Sequence, residues 1–188
     1  LREVGVGARD ADLRRCGICL SDPLIYEAFT YYDREVLPYK NDELINAHAM
    51  PGAHAALQAV QDAGLRCALF TNPSFPQGAI ECRMGWGDLA DAPFELVTHM
   101  GNATRCKPDA TYYLEQLQVM GLEPHEVLMV GNDPKRDFPN PACGIQTAYV
   151  GQGKPNRVTW RGTMEGFARD FNAVVEAFYE HQVADELS

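Results

Sequence analysis

Residues 126–150 read Glu-Val-Leu-Met-Val-Gly-Asn-Asp-Pro-Lys-Arg-Asp-Phe-Pro-Asn-Pro-Ala-Cys-Gly-Ile-Gln-Thr-Ala-Tyr-Val. An apolar run, Val127–Val130, ends at Gly131 and passes at once into a polar, acidic segment. A short continuous apolar run bounded by turn residues is the pattern of a strand covered on both faces, as in a parallel sheet. Pro139 and Pro141 restrict the following segment to a short, broken helix, and Ile145–Val150 supplies the next strand.

The same alternation extends outward. Pro108 opens a helix through about Met120, with Tyr112, Leu114, Leu117 and Val119 as its apolar positions and Gly121 as its stop. Upstream, a helix over 51–63 precedes a short strand over Leu65–Phe70, and a helix over 75–84 precedes a strand over Phe94–Thr98. Downstream, 151–161 reads as a long loop, and Phe167, Phe171, Val174, Val175 and Phe178 mark one helix over 164–179. Strands alternating with helices predict an α/β fold: a three-layer, doubly wound parallel sheet with right-handed crossovers. The first fifty residues differ. Residues 23–39 hold Leu24, Ile25, Phe29, Tyr32, Val36 and Leu37 at helical spacing, which predicts a helical subdomain. Tyr26, Tyr31, Tyr32 and Tyr39 could line a pocket there, although such a stripe more commonly serves packing.

The chain has 188 residues and a formal net charge of -10. An acidic surface without a basic stripe disfavours nucleic acid, while leaving room for an anionic small molecule in a locally cationic pocket. No apolar run reaches the roughly 18–20 residues of a membrane helix, and the first residues carry no secretory pattern, so the expected setting is cytoplasmic. The six cysteines read as reduced thiols. Cys16-Gly17-Ile18-Cys19 has metal or redox spacing but lacks a second pair. The five histidines form no ligand-spaced set.

Three segments fall where a parallel sheet places its ligands, beyond the carboxyl ends of its strands. Thr71-Asn72 follows an apolar strand, Lys107-Pro108 opens a helix, and Gly131-Asn132-Asp133-Pro134-Lys135-Arg136-Asp137 follows the most apolar strand. Each alone has a plain structural explanation: a helix cap, an exposed lysine, a polar turn. Lysine beside free helical N–H groups suits an anion, and carboxylates across one turn suit a hard cation such as Mg²⁺.

Taken in order, these segments resemble the second, third and fourth motifs of the haloacid dehalogenase (HAD) superfamily, and Met129–Val150 resembles its fourth motif and following strand. The resemblance covers roughly residues 51–151. It implies a Rossmannoid HAD-like core at 49–188 and, at 1–48, part of a helical cap subdomain. It implies that Thr71 donates its hydroxyl to a transferring phosphoryl group with Asn72 close by, and that Lys107 offsets charge there. Asp133 would hold Mg²⁺, with Asn132 where many relatives carry aspartate, and Asp137 would support the metal or orient Lys107. Such parts fit phosphoryl transfer, which is mostly positioning and charge neutralisation.

The family's first motif, an Asp-x-Asp run ending an apolar strand, supplies the nucleophile and the general acid–base. Asp10-Ala11-Asp12 has the spacing, but Val4–Arg9 is a poor buried strand and Leu13-Arg14-Arg15 continues as polar helix, so the pair reads as a coincidence. The expectation is that the nucleophile-bearing strand lies before Leu1 and that this chain alone is inert. The complete protein is then expected to be a Mg²⁺-dependent phosphatase of a small phosphorylated metabolite, acting through an aspartyl-phosphate. Alternatives are a 2-haloacid dehalogenase-like hydrolase or a non-catalytic binding or regulatory protein with the same fold.

Overall fold

The structure, a computed structural model, describes residues 22–41 and 46–186. Asp10-Ala11-Asp12 and the Cys16–Cys19 pair lie outside the described residues. The chain divides into two compact units: the described part of Leu1–Ala49 with Ala68–Cys106, and Met50–Cys67 with Lys107–Ser188.

In the first unit, helix α1 (Pro23–Tyr31) starts at Asp22, whose carboxylate accepts the Leu24 N–H at 2.9 Å. The helical path predicted over 23–39 is present but changes pitch, through a π turn at Tyr32–Val36 and a 3-10 turn at Leu37–Tyr39. Pro38, without an N–H, cannot extend an α-helical ladder there. Tyr26, Tyr31, Tyr32 and Tyr39 are all exposed among the described residues, so the expected packing stripe is not what they form. Strand β1 (Ala68–Leu69) pairs in parallel with a later strand, β2 (Leu96–Val97). Between them lies helix α3 (Gln77–Trp86), which buries Ala79 and Ile80. Both strands are shorter than their apolar runs predict. The ladder ends at Leu69↔Val97 and is carried on by the Thr98 N–H donating to Leu69 O at 3.0 Å.

The second unit opens with helix α2 (Ala53–Asp62), introduced by Gly52 at φ 87°. A Cβ on Gly52 would stand 2.6 Å from Glu165 Cα, so only glycine permits this approach to the helix start beside it. Helix α4 (Ala110–Met120) is capped by Asp109, which accepts the Thr111 N–H at 2.9 Å, and ends at Gly121 with φ 65°. Its buried positions are Tyr112, Tyr113, Gln116 and Leu117, two i,i+4 pairs on one face. Leu114 and Val119, expected as apolar contacts, are exposed on other faces. Replacing Asp109 with alanine is expected to cost about 1 kcal/mol of stability by chemical denaturation, the usual worth of such a cap.

Strands β3 (Leu128–Gly131), β4 (Gln146–Val150) and β5 (Trp160–Gly162) form a wholly parallel sheet in that order. Strand β5 was not legible in its loop-like, Gly- and Pro-rich surroundings. It is created by pairing, with Thr159 N–H on Thr147 O at 2.8 Å and Gly151 N–H on Gly162 O at 2.7 Å. The helix predicted over 164–179 is two, α5 (Met164–Arg169) and α6 (Phe171–Glu186), because Asp170 leaves helical geometry at φ -96°, ψ 15°. Ala56, Ala148, Val150, Phe167, Phe171 and Val174 form the core, and Trp160 meets Phe167 edge-on at 5.5 Å. The short helix expected after β3 is instead a tight turn, with Asp137 N–H on Asp133 O at 2.7 Å, followed by a 3-10 turn at Pro141–Cys143. Among the described residues, β1 and β3 each pair on one side only.

Candidate active site

The carboxyl end of β3 is organised around Asp137. Its Oδ1 accepts the Lys107 Nζ at 2.7 Å, and its Oδ2 accepts the backbone N–H groups of Asn132 at 3.1 Å and Asp133 at 2.9 Å. The hydroxyl of Tyr113, a fully buried residue of α4, donates to the Asp137 carbonyl. Lys107 and Tyr113, at the start and on the face of one helical segment, thus hold one residue by its carboxylate and its carbonyl. Gly131 makes the arrangement possible, since a Cβ there would lie 2.6 Å from Asp137 Cβ. Both ionic side chains are largely sequestered, at 10% exposure for Lys107 and 14% for Asp137.

Burial pushes the Asp137 carboxyl pKa up, but the Lys107 hydrogen bond and charge, with the Asp133 and Asn132 amides, outweigh it and hold the group below the usual carboxylate range. A depressed folded-state pKa means stability that is present above the unfolded value and lost as pH falls through the folded one. The expected result is therefore an acid-side loss of stability below about pH 4, read by denaturation across pH, and absent in Asp137→Asn. Burial is also the first cause of the raised Tyr113 phenol, which keeps it a neutral hydrogen-bond donor.

Asp133 is half-exposed and engaged locally. Its Oδ1 accepts the N–H groups of Lys135 at 3.0 Å and Arg136 at 3.3 Å, and its Oδ2 lies 3.6 Å from Arg136 Nε. Thr71 and Asn72 belong to the first unit, at the end of β1. Thr71 Oγ1 donates to Thr98 O at 2.6 Å, and the Thr71 N–H donates to Thr98 Oγ1 at 2.7 Å. The geometry thus groups Lys107, Asn132, Asp133 and Asp137 in one unit, whereas Thr71 and Asn72 belong to the other. Two residues here escaped sequence reasoning. Tyr113 reads as plain helix core, and Thr98 as a strand end. Only pairing across many residues reveals either.

A divalent cation needs an oxygen shell. Asp137 gives its lone pairs to Lys107 and two amides, and no group of three His, Cys, Asp or Glu side chains among the described residues could hold a metal. Asp133 and Asn132 alone do not make a Mg²⁺ site.

A parallel α/β arrangement with a cation at a helix start and an acidic loop after the next strand is the layout that the sequence resemblance implies. The family model of haloacid dehalogenase-like hydrolases matches residues 6–139, and the chain belongs to that family. It is 31% identical over 115 residues to a phosphoglycolate phosphatase of Rhodospirillum rubrum, covering 61% of this chain and 46% of that protein. The chain thus spans about half the length of the curated relative it matches. Among solved structures, a β-phosphoglucomutase from Clostridium difficile superposes with TM-score 0.57 at 15% identity, covering 70% of this chain and 57% of that one. A HAD phosphatase from Thermococcus onnurineus superposes with TM-score 0.55 at 18% identity, covering 87% and 86%. These likenesses establish the HAD-like Rossmannoid fold. Among the described residues, no helix is long and apolar enough to cross a membrane.

Proposed function

We propose that this protein is a phosphatase acting on a small phosphate monoester. The observation that carries the reading is the Lys107–Asp137 pair. An ammonium group is fixed at 2.7 Å beside the start of α4, next to the loop after β3, where an open α/β sheet binds ligands. A held cation of this kind can neutralise a phosphoryl group without reorganising during reaction. Asp137 then acts as the residue that orients Lys107 and the Asn132 and Asp133 amides; the family resemblance alone gives Thr71 and Asn72 the role of phosphate contacts.

Magnesium dependence and an aspartyl-phosphate intermediate belong to this reading through the family resemblance. The cation would take Asp133, with Asn132, and would require further ligands from outside the described residues, as would the nucleophile. Among the described residues β3 pairs on one side only, which leaves a place there for one more parallel strand. The resemblance assigns 1–48 to part of a helical cap and 49–188 to the α/β core without its first strand, a division that differs from the two compact units, in which 68–106 groups with 1–49. A cytoplasmic setting fits Cys82, Cys106 and Cys143, which form no disulfide among the described residues.

The test is phosphate release from a panel of phosphate monoesters by the full product of the gene, with Mg²⁺ and with EDTA. Metal-dependent release that is lost in Lys107→Ala supports the reading. Release of halide from 2-haloacids without metal would move it to the dehalogenase alternative. Orthophosphate binding without any turnover would favour a non-catalytic role.

A further inference from the structure

Thr98 has no part in the reading above, yet it takes up both polar groups that Thr71 presents to the neighbouring strand. Thr98 Oγ1 accepts the Thr71 N–H at 2.7 Å, Thr98 O accepts the Thr71 hydroxyl at 2.6 Å, and the two hydroxyl oxygens are 3.3 Å apart. The contact follows from register. Leu69↔Val97 is the last residue pair of a two-residue ladder; beyond it the Thr98 N–H still reaches Leu69 O, and Thr71 is joined to Thr98 through their hydroxyl groups. Thr98 is 0% exposed, so a molecule arriving at the end of β1 cannot touch it.

A threonine hydroxyl carries one proton and two acceptor lone pairs. With that proton on Thr98 O, the hydroxyl of Thr71 has no proton to offer an outside group. An unprotonated phosphate oxygen is itself an acceptor. It can be bound by Thr71 only if the proton swings away from Thr98 O.

We propose that Thr98 is a positioning residue for the anion-binding end of β1. Its hydroxyl fixes the Thr71 backbone, and its carbonyl accepts the Thr71 hydroxyl hydrogen bond until an unprotonated phosphate oxygen accepts that bond in its place. The inference rests on the proposed role of Thr71 as a phosphate contact, and it can fail separately from the catalytic reading.

The probe is inorganic phosphate, titrated into the isotope-labelled chain and followed by NMR. The expected result is a shift of the Thr98 carbonyl resonance together with those of Thr71 and Asn72, although Thr98 lies out of reach of the ligand. Thr98→Val, which removes the hydroxyl but keeps the shape, is expected to weaken phosphate binding about tenfold, whereas Thr98→Ser stays within about twofold of the parent. A merely structural role would lower the stability of Thr98→Val without moving the Thr98 carbonyl in the parent protein. If that resonance is unmoved while Thr71 responds, if Thr98→Val binds phosphate normally, or if the parent binds no phosphate, the inference is overturned. Should Thr98→Val not fold, the parent titration decides alone. Hydrolysis of p-nitrophenyl phosphate by the full gene product is scored separately. Its absence, with the Thr98 response intact, overturns catalysis and leaves the inference standing.

Discussion

Replacing Lys107 with methionine is expected to destabilise the fold by about 3 kcal/mol, the scale on which removing one member of a sequestered ion pair acts. The physical reason is the partner left behind. Asp137 retains the Asn132 and Asp133 amides on Oδ2, but Oδ1 loses the Lys107 ammonium in a site where the side chain is 14% exposed. Methionine fills the volume of the lysine stem, so the loss reports charge rather than a cavity. Asp137→Asn in the same background should recover much of it, because a neutral amide needs no counter-charge. A double-mutant cycle by urea denaturation measures this coupling, and additive losses would show that the two groups act independently. If the phosphatase reading holds, Lys107→Met should also lower turnover by at least about a hundredfold, as removing a preorganised charge from a reacting oxyanion does.

What was legible in the sequence was what local signals encode. The apolar run Leu128–Val130 with Gly131 marks a strand and its end, and Asp109 and Gly121 bracket α4, so the positions of Lys107 and of the acidic loop followed from nearby residues. What was not legible depends on pairing over long separations. Strand β5 exists because Thr159 and Gly162 meet Thr147 and Gly151, and nothing within 151–162 announces it. The division of labour between the two aspartates is also tertiary. Spacing leaves Asp133 and Asp137 equivalent, whereas the fold turns Asp137 inward to Lys107 and leaves Asp133 half-exposed beside Arg136. Likewise α4 offers several apolar residues. Its contacts, not its composition, decide that Tyr113 faces Asp137 while Leu114 and Val119 face outward.

Gly131→Ala is the companion test, because it attacks the same centre from the backbone. Its φ is not in the left-handed region, so alanine could adopt the local conformation, and the cost must come from space. The new Cβ would lie 2.6 Å from Asp137 Cβ, 2.9 Å from Oδ2 and 3.0 Å from Cγ. A flexible side chain would step aside, but Asp137 is tethered by Lys107, by two backbone amides and, through its carbonyl, by Tyr113. Relief therefore breaks hydrogen bonds to a charged group, each worth about 1.5–3 kcal/mol, or bends β3 where it pairs Gly131 with Tyr149. A destabilisation of about 2–3 kcal/mol is expected, within the range for overpacking a fixed site. The control is Asp137→Ala, which removes the atoms in the way. In that background Gly131→Ala should cost under about 0.5 kcal/mol, so the two changes are strongly non-additive. Equal costs in both backgrounds would mean that β3, not the Asp137 carboxylate, makes this position intolerant, and the account of Asp137 as the fixed hub of the loop would then be wrong.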